Sequence, residues 1–364
     1  MLLGSKNANS ITGVVSSLLL IAIAIVGLVY GKNFLIPIVI ALLIANLIGA
    51  GADRLMGLGL SGPVAMFCAI FIVLLGIFSV FKVLAHQVDG LGEAWPRYVS
   101  RLEVVADWAS RWAGAEVSKR IGETLRSLDL TRSIPSFIGS AAAFLSSVGL
   151  VAIYVGFLLA ERGKLTGRIA LLFTATEEAA RVQGALAAIS AGVHSYLWIK
   201  TITSLLTGAV SYAVLKALGV DFSETWALLI FLLNYIPNIG SILGVVFPAL
   251  LALVQFETIW QFLVIAVLLA AGQFVIGNVI EPRYMGRTLN LSPFVVMVAL
   301  AFWATIWGIA GAFLSIPLTA ALVITCGHIP SLRWIAVLLS EDGRISVTSP
   351  GETSRATNLS SKSD

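Results

Sequence analysis

Charge is what this sequence has least of. Lys, Arg, Asp and Glu make up 12% of its 364 residues, against 58% that are hydrophobic. A soluble domain carries roughly 25% charged and about 45–50% apolar residues. This chain therefore has too little polar surface to face water, and the bilayer is the solvent that fits. The mean hydropathy of +0.97 points the same way. Cysteine is nearly absent: Cys68 and Cys326 lie in apolar runs, their spacing suits no metal site, and they read as small buried hydrophobes. His86, His194 and His328 are scattered along the chain, so no metal centre and no cofactor are expected. Neither GxxxxGKS nor GxxxxGKT is present, which argues against ATP as the direct energy source. HExxH and GxSxG are missing too, which argues against an enzyme. The net charge of +4 is small, and the basic residues do not interleave with aromatics, so no nucleic-acid partner is expected.

What the sequence has is long apolar runs. A spanning helix needs about 20 apolar residues, because the hydrocarbon core is roughly 30 Å thick and a helix rises about 1.5 Å per residue. Spans are expected over 11–31, 34–52, 63–85 and 137–160. A fifth is expected near 195–217, led by His194, Trp198 and Lys200 at an interface. The first run follows Lys6 and is long, with no small-residue cleavage signal after it, so it reads as a retained span. The fold class is all-α: a polytopic membrane helix bundle of about six to eight crossings.

Residues 86–136 differ. They hold much of the charge, in mixed sign, while Leu91, Trp95, Val99, Leu102, Val105, Trp108 and Trp112 recur at helical spacing, as do Val117, Ile121, Leu125 and Leu128. That pattern predicts an amphipathic helical segment outside the membrane. A second amphipathic stretch, 161–194, carries Arg162, Lys164 and Arg168 near its start. These basic residues, with Arg181, favour a cytoplasmic face there. Counting back places 1–85 as the first three spans, 86–136 as extracytoplasmic, 137–160 as the fourth span and both termini inside. Residues 195–327 form the expected transport core, and 328–364 a cytoplasmic tail, Ser- and Thr-rich and partly disordered.

Within the core, two apolar blocks, 224–256 and 292–326, are too long for one span each. Both are interrupted. The first contains Asn234-Tyr235-Ile236-Pro237-Asn238-Ile239-Gly240-Ser241, the second Trp307-Gly308-Ile309-Ala310-Gly311 and, further on, Ser315-Ile316-Pro317. Proline removes a backbone donor and glycine permits unusual φ/ψ. Backbone freed in this way must sit inside protein or line a watery cavity. Paired interrupted segments are a pointer to a transporter binding site, and they predict broken helices or re-entrant hairpins. Asn234, Asn238, Ser241, Gln273 and Asn278 offer neutral donors and acceptors, suited to a small polar solute or the shell of a monovalent cation. Pro237 and Gly240 shape the backbone. Glu281 is the acid nearest the membrane interior in this half. It could bind a cation, carry a proton, or pair with Arg283 or Arg287, which otherwise anchor to lipid phosphates. If both blocks are hairpins, the loop with Arg283 and Arg287 falls on the cytoplasmic side, as the positive-inside rule prefers.

The stretch Asn234–Ser241 with Pro248 resembles a signature of the autoinducer-2 exporter family. Glu281-Pro282-Arg283-Tyr284-Met285-Gly286-Arg287 followed by Leu291-Ser292-Pro293 resembles that family's second signature. Gly308-Ile309-Ala310-Gly311 with Ser315-Ile316-Pro317-Leu318 resembles its third. The resemblance covers about residues 10–330. Members often have more glycine where this chain reads Trp303-Ala304-Thr305-Ile306. The resemblance implies a multi-pass bacterial inner-membrane transporter and homo-oligomer. It also implies export of small molecules such as autoinducer-2, or exchange of sodium or lithium for protons.

Overall fold

The computed structural model describes residues 4–113, 130–172, 176–285 and 290–343. Every regular element among them is helical. In chain order they are α1 (Gly4–Tyr30), α2 (Lys32–Gly57), α3 (Gly62–Ala113), α4 (Leu130–Leu172), α5 (Thr176–Ala217), α6 (Ser223–Leu233), α7 (Ile239–Gln255) and α8 (Ile259–Val275). A π turn (Ile276–Ile280), α9 (Glu281–Met285), α10 (Pro293–His328), a 3-10 turn (Pro330–Leu332) and α11 (Arg333–Leu339) complete the chain.

Six helical stretches among the described residues are long and apolar enough to cross a membrane: α2, Gly62–Val80, Ser146–Lys164, Glu178–Ala217, Ile259–Tyr284 and α10. The span beginning at Gly62 does not end at the expected boundary, since α3 continues as one helix of 52 residues to Ala113. The tryptophan stripe expected on its second half lies outside the described side chains, and the stripe from Val117 to Leu128 and the tail beyond Gly343 lie outside the described residues.

Helices pack closely where the sequence supplies alanine. Ala41, Ala45, Ile48 and Ala52 form one stripe of α2 and bury against Ala65 and Ala69 of α3 and Val155 of α4. Small residues let backbones approach, which is how helices associate when lipid tails remove the usual hydrophobic drive. Gly49 continues that stripe and lies under the Arg162 guanidinium, which pairs with Asp53 at 2.9 Å.

Both interrupted blocks fold back on themselves. In the first, Trp226 of α6 meets Phe247 of α7 at 6.5 Å between ring centroids. In the second, the Trp303 indole donates to Thr319 Oγ1 at 3.1 Å. Sixteen residues of straight helix would hold those two roughly 24 Å apart. The chain reverses at Gly308, whose φ of 62° and ψ of −139° only glycine adopts readily. α6–α7 and α10 are therefore helical hairpins, with α8 running between them. Gly308→Ala should lower the melting temperature of the purified protein by a few degrees, about 1–3 kcal/mol of backbone strain. The space around Gly308 is open, so an unchanged melting temperature would mean the turn tolerates a side chain.

The base of the first hairpin is tied to α3. Asp221 Oδ2 accepts from Arg97 Nη2 at 2.8 Å and from the Tyr98 hydroxyl at 2.6 Å. The Asp221 amide donates to Gln255 Oε1, and Gln255 Nε2 donates to the Gly219 carbonyl, both at 2.8 Å. Burial, then the neighbouring Asp221 carboxylate, push the Tyr98 hydroxyl above its ordinary pKa, so it stays a neutral donor. Tyr98→Phe removes a bond to a charged acceptor and should cost about 1.5–3 kcal/mol, read as a lower unfolding temperature in detergent.

Candidate functional site

α5 carries a polar stripe through an otherwise apolar span. Lys200, Ser204, Thr207 and Ser211 recur on one face, and all are buried. Thr207 returns its hydroxyl to the Thr203 carbonyl at 2.7 Å, which satisfies it without a partner helix. Ser204 and Lys200 instead reach across. Ser204 Oγ accepts from Asn234 Nδ2 at 3.0 Å, at the tip of the first hairpin. Lys200 Nζ bonds Glu281 Oε1 at 2.7 Å. Between them, Thr201 Oγ1 and the Tyr235 hydroxyl share a hydrogen bond of 2.7 Å.

The two hairpins meet beside this row. Ile236, in the turn of the first, packs between Leu300 and Ala312 on the two arms of the second. The Tyr235 and Phe313 rings stack at 5.2 Å. Glycine makes each tip possible. A Cβ on Gly240 would fall on the Leu233 carbonyl, and one on Gly311 on the Trp303 carbonyl. Asn238, with φ 57° and ψ −51° at the centre of a three-residue γ-turn, turns its amide to Met297 Sδ in the second hairpin. The Trp307 indole donates to the Leu28 carbonyl at 2.9 Å, beside the junction of α1 and α2 at Gly31.

Of the residues singled out from sequence, Asn234, Gly240, Gln273 and Glu281 come together around α5 and the first hairpin. The Gln273 amide nitrogen lies 3.1 Å from the position a Cβ on Gly244 would take, buried and without a hydrogen-bond partner among the described residues. Pro237 and Ser241 flank the tip, half-buried. Asn278 does not join them: it is exposed and donates to the Phe274 carbonyl one turn back. Pro282 and Arg283 are exposed beside Glu281, Pro317 is buried within the second hairpin, and Arg287 lies outside the described residues.

Lys200 is buried, at 7% exposure, and one expectation needs correction. The partner of Glu281 is Lys200 rather than Arg283. The π turn Ile276–Ile280 causes this. It interrupts the α-helical register just before Glu281 and rotates the carboxylate toward α5, while Arg283 faces outward. π turns inside helices recur at functional sites. The signal for Lys200 was its place on the stripe shared with Ser204, Thr207 and Ser211.

An ion pair within the fold, paired amide and hydroxyl groups, and two helical hairpins that meet at their tips have the make-up of a membrane transporter core. The AI-2E family transporter profile matches residues 18–331, and the chain belongs to that family, as a multi-pass inner-membrane transporter. The AI-2 transport protein TqsA of Escherichia coli strain K12 is 30% identical over 88% of this chain and 94% of its own. YhhT of the same organism is 26% identical over 91% of this chain and 95% of its own. A Haemophilus influenzae relative is 38% identical over 54% of this chain and 56% of its own.

Proposed function

We propose that this chain exports a small polar, uncharged solute along α5, past the hairpin tips, with autoinducer-2 as the first solute to test. The observation that carries this reading is the meeting of the two tips at Tyr235 and Phe313 beside the Asn234–Ser204 bond and the Lys200–Glu281 pair. The pair is neutral as a unit, so it suits a solute with no net charge. The likeness to TqsA, named as an AI-2 transport protein, supports the choice of solute. The pathway residues are Asn234, Pro237, Asn238, Gly240, Ser241, Gln273 and Glu281, with Lys200, Thr201, Ser204 and Tyr235 added. Arg162, Lys164, Arg168 and Arg181 support a reading with both termini on the cytoplasmic side. Assembly as a homo-oligomer belongs to the same reading.

The test is flux in proteoliposomes loaded with autoinducer-2, with internal pH followed under an imposed sodium gradient. Solute efflux that falls about tenfold or more in Asn234→Leu, where a hydrogen-bonding amide is replaced by a side chain that cannot donate, is the expected result. Sodium-driven proton flux without solute efflux, lost in Glu281→Gln, would replace this reading with cation–proton antiport.

A further inference from the structure

A carboxylate inside a membrane protein needs a counter-charge, and membrane transporters meet that need with a bound cation, a proton or a basic side chain. In this chain Glu281 has one within its own fold. The Lys200 and Glu281 side chains are 8% and 16% exposed, and 2.7 Å separates Nζ from Oε1. A lysine ammonium is a compact point charge on a flexible stem, close to a small monovalent cation in charge and in its demand for oxygen partners. One helical turn before Lys200, Tyr196 is 1% exposed. Its hydroxyl has no hydrogen-bond partner among the described residues, one turn from the lysine that pairs with Glu281. Carboxylate and hydroxyl oxygens are the ligand types that hard cations take.

We propose that Lys200 is a built-in counter-cation: its ammonium stands beside Glu281 where a small monovalent cation would otherwise bind, so that this chain pairs the carboxylate without a coupling ion. The site of that latent cation is centred on the Glu281 carboxylate and opens only when the Lys200 charge is removed. Arg283 does not substitute, because it faces outward from α9. The inference deepens the export reading by stating what neutralises the pathway's one buried acid among the described residues. It stands on the pair itself rather than on any particular solute.

The experiment reads stability, so it does not depend on the solute being right. Purified wild type, Lys200→Gln, Lys200→Arg and the double variant Lys200→Gln/Glu281→Gln are melted in sodium, lithium or choline chloride at equal ionic strength. Wild type and Lys200→Arg should melt alike in all three salts. Lys200→Gln should melt lower in choline and regain about 3 °C or more in sodium or lithium, by mass action of a ligand that binds only the folded state. The double variant should lose that rescue, because no buried carboxylate remains. A Lys200→Gln protein that folds in no salt, or that melts alike in all of them, overturns the proposal. So does a sodium response in wild type, or one that survives in the double variant. Autoinducer-2 efflux from wild type that is equal in sodium and choline would be the matching transport result; efflux that requires sodium overturns the proposal, while no efflux in either salt counts against the solute rather than the pair.

Discussion

Gly240→Val is expected to abolish solute efflux and to lower the stability of the protein in the same step. The turn between α6 and α7 brings the Gly240 backbone onto the Leu233 carbonyl, so that a Cβ would overlap a backbone oxygen and carbon. A flexible side chain could move aside, but a backbone carbonyl moves only if the turn opens. Overpacking of this kind costs about 1–3 kcal/mol, occasionally more. Here the displaced element is the tip that carries Asn234 to Ser204 and Tyr235 to Thr201 and Phe313. A shift of about 1 Å at such a point can cost on the order of a hundredfold in rate. Gly244→Ala, on the same hairpin, serves as the graded control. Its added methyl would lie 3.1 Å from a side-chain nitrogen of Gln273, which can rotate away, so flux should fall only a few-fold. Equal losses from both would mean that the whole hairpin, and not its tip, limits transport.

Glu281→Leu is expected to destabilise the chain by about 3–5 kcal/mol, because it leaves the Lys200 ammonium buried and unpaired. Lys200→Met/Glu281→Leu should recover most of that loss, since replacing both members of a buried pair by apolar groups is often neutral or stabilising. Neither variant should transport. The separation of the two readouts is the point: stability returns when the charge imbalance is removed, while flux does not, because the oxygen and ammonium groups that face the solute are gone. Thermal or denaturant unfolding of all four members of the cycle, with efflux measured on the same preparations, checks it. A double variant as unstable as Glu281→Leu would show that the two residues do not act as a pair.

The hairpins were legible because their cause is local. The proline and glycine in 234–241 and the glycines at 308 and 311 weaken a helix where they stand, and the blocks around them are too long to cross once. Glycine at the tips has a reason visible only in three dimensions, the carbonyls of Leu233 and Trp303, yet the same residues mark the break. The partner of Glu281 was not legible. Arg283 stands two positions away and Lys200 eighty-one, and α-helical geometry carries no hint of the π turn at Ile276–Ile280 that turns the carboxylate to α5. Asn278 shows the converse: an amide at a suggestive position, spent on its own helix at Phe274. Lys200 could have been found from its face. In a span with hardly any other charge, residues 200, 204, 207 and 211 form a stripe that only neighbouring helices could cover.

The account rests on the two hairpin tips moving apart as solute passes, and a reversible cross-link between them tests this most directly. With Cys68 and Cys326 replaced by alanine, cysteines at Tyr235 and Phe313 are joined by a short bifunctional methanethiosulfonate, and autoinducer-2 efflux is followed before linking, after linking and after reduction. Efflux that stops on linking and returns on reduction, in the paired variant and in neither single one, is the predicted result. Full-rate efflux from the linked protein would contradict the account.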